Sequence, residues 1–309
     1  MLDKAIRILN FDASVIKQKA LISQHKAEII DLERFSSSAR IWMSGRVYRE
    51  IKNRISGSNK EAPTFIGSGD FHHVSSILLE DVQQPFCLII FDLHPDWETL
   101  PPKMACGSWV TRSLKNKNIL KAVLLGVSSD DISTGNIQTG NISALKNDRL
   151  EIYPYSHAPT DVFFRRIHRN ISVVSKNSVL HHKIHWSQLH KFNLAEFCES
   201  LFSRLPTNKV YISIDKDCLQ KEYAATNWEE GLMSLDQLLL ILRLIRQRLD
   251  IIGMDIVGDY SAVEINNPAK RIVSGIDHPK RSSAAGLSEQ EVNTLNQTTN
   301  QKILNEVIG

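Results

Sequence analysis

Three short segments concentrate side chains that bind metals and move protons. Asp92-Leu93-His94-Pro95-Asp96 carries ligand types at alternate positions, and in an extended chain residues i, i+2 and i+4 project to one side, so Asp92, His94 and Asp96 face a common space. Ser213-Ile214-Asp215-Lys216-Asp217 repeats the pattern with two carboxylates, Asp215 and Asp217. Gly67-Ser68-Gly69-Asp70-Phe71-His72-His73 is a glycine-punctuated loop that brings two adjacent imidazoles. Carboxylates near the buried edge of a sheet need a positive partner, because an unpaired buried charge is costly; Lys216 or a metal ion would each serve. Four carboxylates and two imidazoles form an oxygen-rich donor set that suits Mn²⁺ better than thiolate-favoured zinc. Six ligands exceed one closed zinc site. They match two divalent ions about 3.5–4 Å apart, bridged by carboxylates and by a water whose lowered pKa makes it the nucleophile.

The elements that hold these segments are legible as apolar runs alternating with helical periodicity, which argues for an α/β fold with a parallel sheet covered by helices. The clearest strands are 86–91, 121–127, 210–214 and 251–256, with weaker ones at 6–9 and 29–32. Near-continuous apolar strands follow from burial on both faces. Two of the three segments directly follow or end such strands, where ligands bind in an open parallel sheet. Ser234 to Gln237 reads as a capping box opening a helix to about Arg248, with Ser288 to Glu291 opening a second. No repeat and no long linker interrupts the chain, so residues 1–309 read as one domain. Residues 281–309 read as a tail helix on the surface with inert chemistry. The stretch 130–187 is the least regular, and 129–140 is turn-rich enough for an active-site loop or a surface excursion.

The 309 residues are 42% hydrophobic and hold 37 basic against 34 acidic side chains, a net +3 without a basic block. That balance argues against a nucleic-acid or anionic-membrane surface. Apolar runs such as Leu238–Leu242 are cut by Arg243 and Arg246, too short to span a membrane. The N-terminal residues lack the apolar core of a signal peptide, and Cys87, Cys106, Cys198 and Cys218 lack paired spacing. A cytoplasmic protein is expected.

The ordered set of motifs resembles the arginase/agmatinase (ureohydrolase) superfamily, whose pattern runs from a G-G-D-H-like loop through D-x-H-x-D to S-x-D-x-D. The matching stretch runs from about Phe65 to Tyr260. The resemblance implies a three-layer αβα fold. It assigns His72, Asp92, Asp96 and Asp215 to one ion and His94, Asp92, Asp215 and Asp217 to the other, with Asp92 and Asp215 bridging and His72 preferred to His73. Asp96 would orient the attacking hydroxide.

Two departures bear on chemistry. Where the family carries a histidine that shuttles protons, this chain has Cys106-Gly107-Ser108-Trp109; Cys106 is then a shuttle, a pocket wall or a small buried hydrophobe. Where the family's D-I-x-E sets a glutamate against the substrate, Asp255-Ile256-Val257-Gly258 ends in glycine. Asp259, Glu229 or Glu230 would supply the missing charge, while Trp97, Trp109 and Trp228 would wall a pocket for a planar cation or belong to the core. His181, His182 and His185 have a metal-helix spacing without a further ligand and are read as surface or packing residues.

The implied activity is hydrolysis of a non-peptide C–N bond in a small-molecule or peptide-borne guanidino or amidino group, with two ions, Mn²⁺ foremost. A deacetylase-type amidohydrolase with one zinc and a catalytically silent metal-binding member of the fold are the alternatives. Whether copies of the chain form a homo-oligomer is left open by the sequence.

Overall fold

The computed structural model describes residues 5–163, 167, 170–177, 181–263, 265–268, 270–272 and 284–309. Its strands in chain order are β1 Ile6–Asn10, β2 Ala27–Asp31, β3 Thr64–Gly67, β4 Phe86–Phe91, β5 Ile119–Leu125, β6 Leu150–Tyr153, β7 Thr160–Phe163, β8 Val173–Asn177, β9 His181–Trp186, β10 Lys209–Asp215 and β11 Asp250–Val257. Eight form one sheet in the order β2-β1-β3-β11-β10-β4-β5-β6, and every neighbouring pair is parallel. β7, β9 and β8 make a separate antiparallel sheet.

Strand β4 explains the layering. All six of its residues, FCLIIF, are buried. Phe86, Leu88 and Ile90 enter one apolar core while Cys87, Ile89 and Phe91 enter another, because successive side chains leave opposite faces of a strand. The first core is closed by Ile51 and Ile55 of helix Gly45–Ile55, Ile77 and Leu78 of Ser75–Glu80, and Val110 of Trp109–Ser113. The second is closed by Leu201 of helix Leu194–Ser203, Leu238 and Ile241 of Leu235–Arg248, and Ile303 and Leu304 of Glu289–Ile308. Helices on both faces of one parallel sheet make three layers.

Register aligns the strand ends that matter. Ile214 of β10 lies beside Phe91 of β4, Asp215 beside Val257 of β11, and Val257 beside Gly67 of β3. Whatever follows those ends emerges at one level of the central sheet, facing one crevice.

Several sequence expectations shift. The strand expected at 121–127 runs Ile119–Leu125, ending before Gly126, whose φ is 99°. The loop 67–73 is ordered into a 3-10 helix, Gly69–Val74, capped by Ser68, whose side chain accepts from the Asp70 amide. The histidines at 181, 182 and 185 lie on β9, where i, i+4 spacing has no helical meaning, and His182 is buried. The terminal helix is not a surface tail: Ile303, Leu304 and Val307 are buried, and its side chains reach inward. Residues 281–283 of that expected tail lie outside the described residues. No described helix is long and apolar enough to cross a membrane.

Candidate metal centre

At the ends of β4 and β10, three carboxylates use one oxygen to accept from a backbone amide and turn the other inward, toward His72 and His94. Asp92 Oδ1 accepts from the His94 amide at 2.7 Å, and its Oδ2 lies 3.1 Å from His72 Nδ1. Asp217 Oδ1 accepts from the Leu93 amide at 3.0 Å, and its Oδ2 lies 3.0 Å from His94 Nδ1. Asp215 Oδ1 accepts from the Asp217 amide at 3.1 Å, while Oδ2 is 3.5 Å from His72 Nδ1. Asp96 Oδ2 accepts from the Trp109 indole at 2.7 Å and lies 3.3 Å from His72 Nδ1. The six side chains the sequence singled out therefore converge. Among the described residues two groups meet the spacing of a metal site, His72-Asp92-Asp96 and Asp92-His94-Asp217, and Asp92 belongs to both.

The donor set fits divalent cations. His72 Nδ1 and Asp92 Oδ2 are buried and carry no hydrogen bond, although buried polar atoms are ordinarily paired. On its far side, His72 Nε2 is 3.0 Å from Ser213 Oγ, and that hydroxyl donates to Asp255 Oδ1 at 2.7 Å. With its hydrogen committed to Asp255, the hydroxyl accepts from Nε2–H, which assigns the Nδ1 lone pair of a neutral ring to the cluster. Lys216 does not neutralise it: its Nζ turns away to Asp259 Oδ1, 2.9 Å, in a fully buried pair.

The electrostatics show what an uncompensated cluster would do. Burial, then the Asp96 and Asp217 charges, hold Asp92 well above the carboxylate range. Burial, then Asp217, push Asp215 up to about 8. For His72 burial opposes protonation, but the carboxylates of Asp92 and Asp96 close to Nδ1 overcome it and raise the ring well above its ordinary value. Without a cation, the site would hold protons instead. His73 lies outside both groups; burial, then the positive charges of Lys270 and His72, lower it to about 3.

A cavity of about 910 Å³ opens onto the cluster, lined by Cys106, Glu229, Glu230, Trp97 and Trp228 among others. Glu229 Oε2 is 3.6 Å from His94 Nε2, and the Trp228 ring meets His94 edge-on at 5.2 Å. Two expected substrate-binding residues stand elsewhere. Trp109 is fully buried behind the cluster, its indole committed to Asp96. Asp259 is buried away from the cavity and accepts from Lys216, from Gln18 at 2.6 Å and from Asn300 at 3.2 Å. A glutamate has no room at position 258 either: φ is 88°, and a Cβ there would come within 2.4 Å of Asp215 Oδ1.

Sequence reasoning missed Glu98, Asp130, Asp131 and Trp42, which also line the cavity. The signal for the two aspartates was the turn-rich stretch 129–140, which packs Gly140 against Trp97 and supplies Ser129 and Thr139 to the wall. Glu98 and Trp42 had no local signal; the chain brings Trp42 to the wall by pairing with Ala105.

Comparison with known proteins bears on the fold and the family. An uncharacterized protein of Thermotoga maritima is 26% identical over 269 residues, 85% of this chain and 83% of that one. Among solved structures, proclavaminate amidino hydrolase from Streptomyces clavuligerus superposes with a TM-score of 0.57 at 10% identity, covering 99% of this chain and 92% of that one. Arginase from Bacillus caldovelox gives 0.57 at 13% identity, covering 99% of each chain. These likenesses show the fold. The arginase family matches residues 6–270, and the chain belongs to that family.

Proposed function

We propose that this chain is a binuclear metal-dependent hydrolase that cleaves a C–N bond of a guanidino or amidino group. The observation that carries the reading is the convergence of two imidazoles and three carboxylates in two groups that share Asp92, with Asp215 3.5 Å from His72 and with buried atoms unpaired. His72, Asp92, Asp96 and Asp215 would hold one ion and His94, Asp92, Asp215 and Asp217 the other. Two such ions, Mn²⁺ in this reading, would supply Lewis acidity and a water of lowered pKa. Asp96, fixed by its indole partner, orients that water beside the planar carbon. Cys106, on the cavity wall, is the candidate for returning a proton to the departing amine. Glu229 faces the guanidinium or amidinium in place of the glutamate that Gly258 excludes.

The lining favours a cationic substrate. Glu98, Asp130, Asp131, Glu229 and Glu230 edge the cavity, and no lysine or arginine among the described residues lines it. Carboxylates on the rim disfavour an anionic group and favour a guanidinium or a second ammonium. The walls of Trp97 and Trp228 suit the planar cation, and the open mouth suits a small molecule or an arginine borne on a peptide. The buried free thiols of Cys87, Cys198 and Cys218 suit a reducing, cytoplasmic setting.

The test is urea or ammonia release by the Mn²⁺-loaded protein from arginine, agmatine, a free amidine and a peptidyl arginine, beside Asp215→Ala. Turnover of at least one compound, lost in the variant, is expected, with two ions per chain by metal analysis. Equal rates in the two proteins overturn metal catalysis at this site; one tightly held zinc overturns the binuclear reading.

A further inference from the structure

We infer that Trp109 is a positioning residue that locks Asp96 and His72 together as ligands of one ion, an inference that rests on the metal-centre reading above. Asp96 has a φ of 46°, the left-handed region that an aspartate enters at a cost. The start of helix Trp109–Ser113 holds it there. The Val110 amide donates to the Asp96 carbonyl at 3.0 Å, Thr111 Oγ1 donates to the Trp97 carbonyl at 2.6 Å, and the Trp109 indole donates to Asp96 Oδ2 at 2.7 Å.

An indole N–H is a single donor with no acceptor capacity. It therefore fixes one lone pair of Oδ2 and leaves the rest of the carboxylate free to face the cluster. Where backbone amides anchor the carboxylates of Asp92, Asp215 and Asp217, the side chain of Trp109 anchors that of Asp96. The same ring packs against the His72 imidazole, centroids 4.6 Å apart. One rigid side chain thus sets the angle of two ligands whose reactive atoms, His72 Nδ1 and Asp96 Oδ2, lie 3.3 Å apart. The sequence left Trp109 as a pocket wall or a core residue; the geometry makes it a buried brace behind the cluster.

Zinc, being diamagnetic, allows the brace to be watched directly. Metal-stripped protein labelled with ¹⁵N in its five tryptophans is titrated with Zn²⁺, and the Trp109 indole cross-peak is identified by its contacts to the His72 ring. That cross-peak is expected to move as the first ion binds. Calorimetry with Mn²⁺ on Trp109→Phe, which keeps a ring and loses the donor, is expected to show about tenfold weaker binding at one of two sites, with Trp109→His recovering part of the loss. An indole resonance that stays still while zinc binds overturns the inference without any variant, so a poorly folded Trp109→Phe does not shield it. Unchanged Mn²⁺ affinity in folded Trp109→Phe overturns it too. A wild type that takes up neither metal overturns the metal-centre reading and this inference together.

Discussion

Asp215 is held between two glycines. A Cβ at Gly69 would stand 2.6 Å from its Oδ2, and one at Gly258 would stand 2.4 Å from its Oδ1. Gly258→Ala adds that collision to a left-handed backbone and should lower stability by about 1–3 kcal/mol while weakening Mn²⁺ binding, read by thermal melts and calorimetry. Gly258→Glu, which restores the family's glutamate, should fare worse rather than gain activity. Removing metal exposes a pH dependence of definite sign. Burial, then Asp217, move Asp215 from 3.8 to about 8, and an acid raised on folding takes up a proton as it folds, so the stability it contributes is full below 3.8 and is lost as pH climbs toward 8. His72, also raised, acts in the same direction. Stripped protein should therefore melt at a lower temperature at about pH 8 than at about pH 5, and Mn²⁺ should restore more stability at the higher pH. At this scale the clustered side chains were legible from their types and their close spacing at strand ends, although not from an extended backbone: the chain bends at 93–94, Asp96 is left-handed and Asp217 lies in the 3-10 turn Lys216–Cys218. Trp109 was left between pocket wall and core, and Asp259 among three acids for the substrate's charge, because their partners, Asp96 and Lys216, are chosen by packing across the fold, which spacing along the chain does not encode.

The terminal helix Glu289–Ile308 illustrates the same limit for elements. Its capping box was visible in Ser288 and Glu291, but its polar Asn/Gln content masked a buried role. Asn296 accepts from the Ala225 amide at 3.0 Å and donates to the Ala225 carbonyl at 2.8 Å, tethering the segment that leads to Trp228 and Glu229. Asn300 donates to Asp259 and to Gln18. Asn296→Ala should cost about 1–3 kcal/mol, because it leaves the buried Ala225 amide unpaired while the Ala225 carbonyl keeps only its bond from the Tyr260 amide, a loss that denaturant unfolding would measure. β4, β5, β10 and β11 were readable as buried apolar runs. β3 and β6 were not, each being four residues long, too short for periodicity to declare.

Across the whole molecule, a chain of net charge +3 presents a crevice edged by carboxylates, so its long-range field and its local field differ in sign. Capture of a cationic substrate should weaken with salt as the local attraction is screened, seen as a KM that rises between low and about 0.5 M ionic strength with kcat steady. The level strand ends carry one more consequence. His72 and Ser213 touch across 141 positions of sequence, and β3 reaches β10 only through β11, the last strand of the sheet to leave the ribosome. A growing chain can therefore display its early histidine and aspartates long before it can capture an ion. Manganese uptake would mark the completion of synthesis, and chains arrested before Asp250 should remain unable to retain the metal.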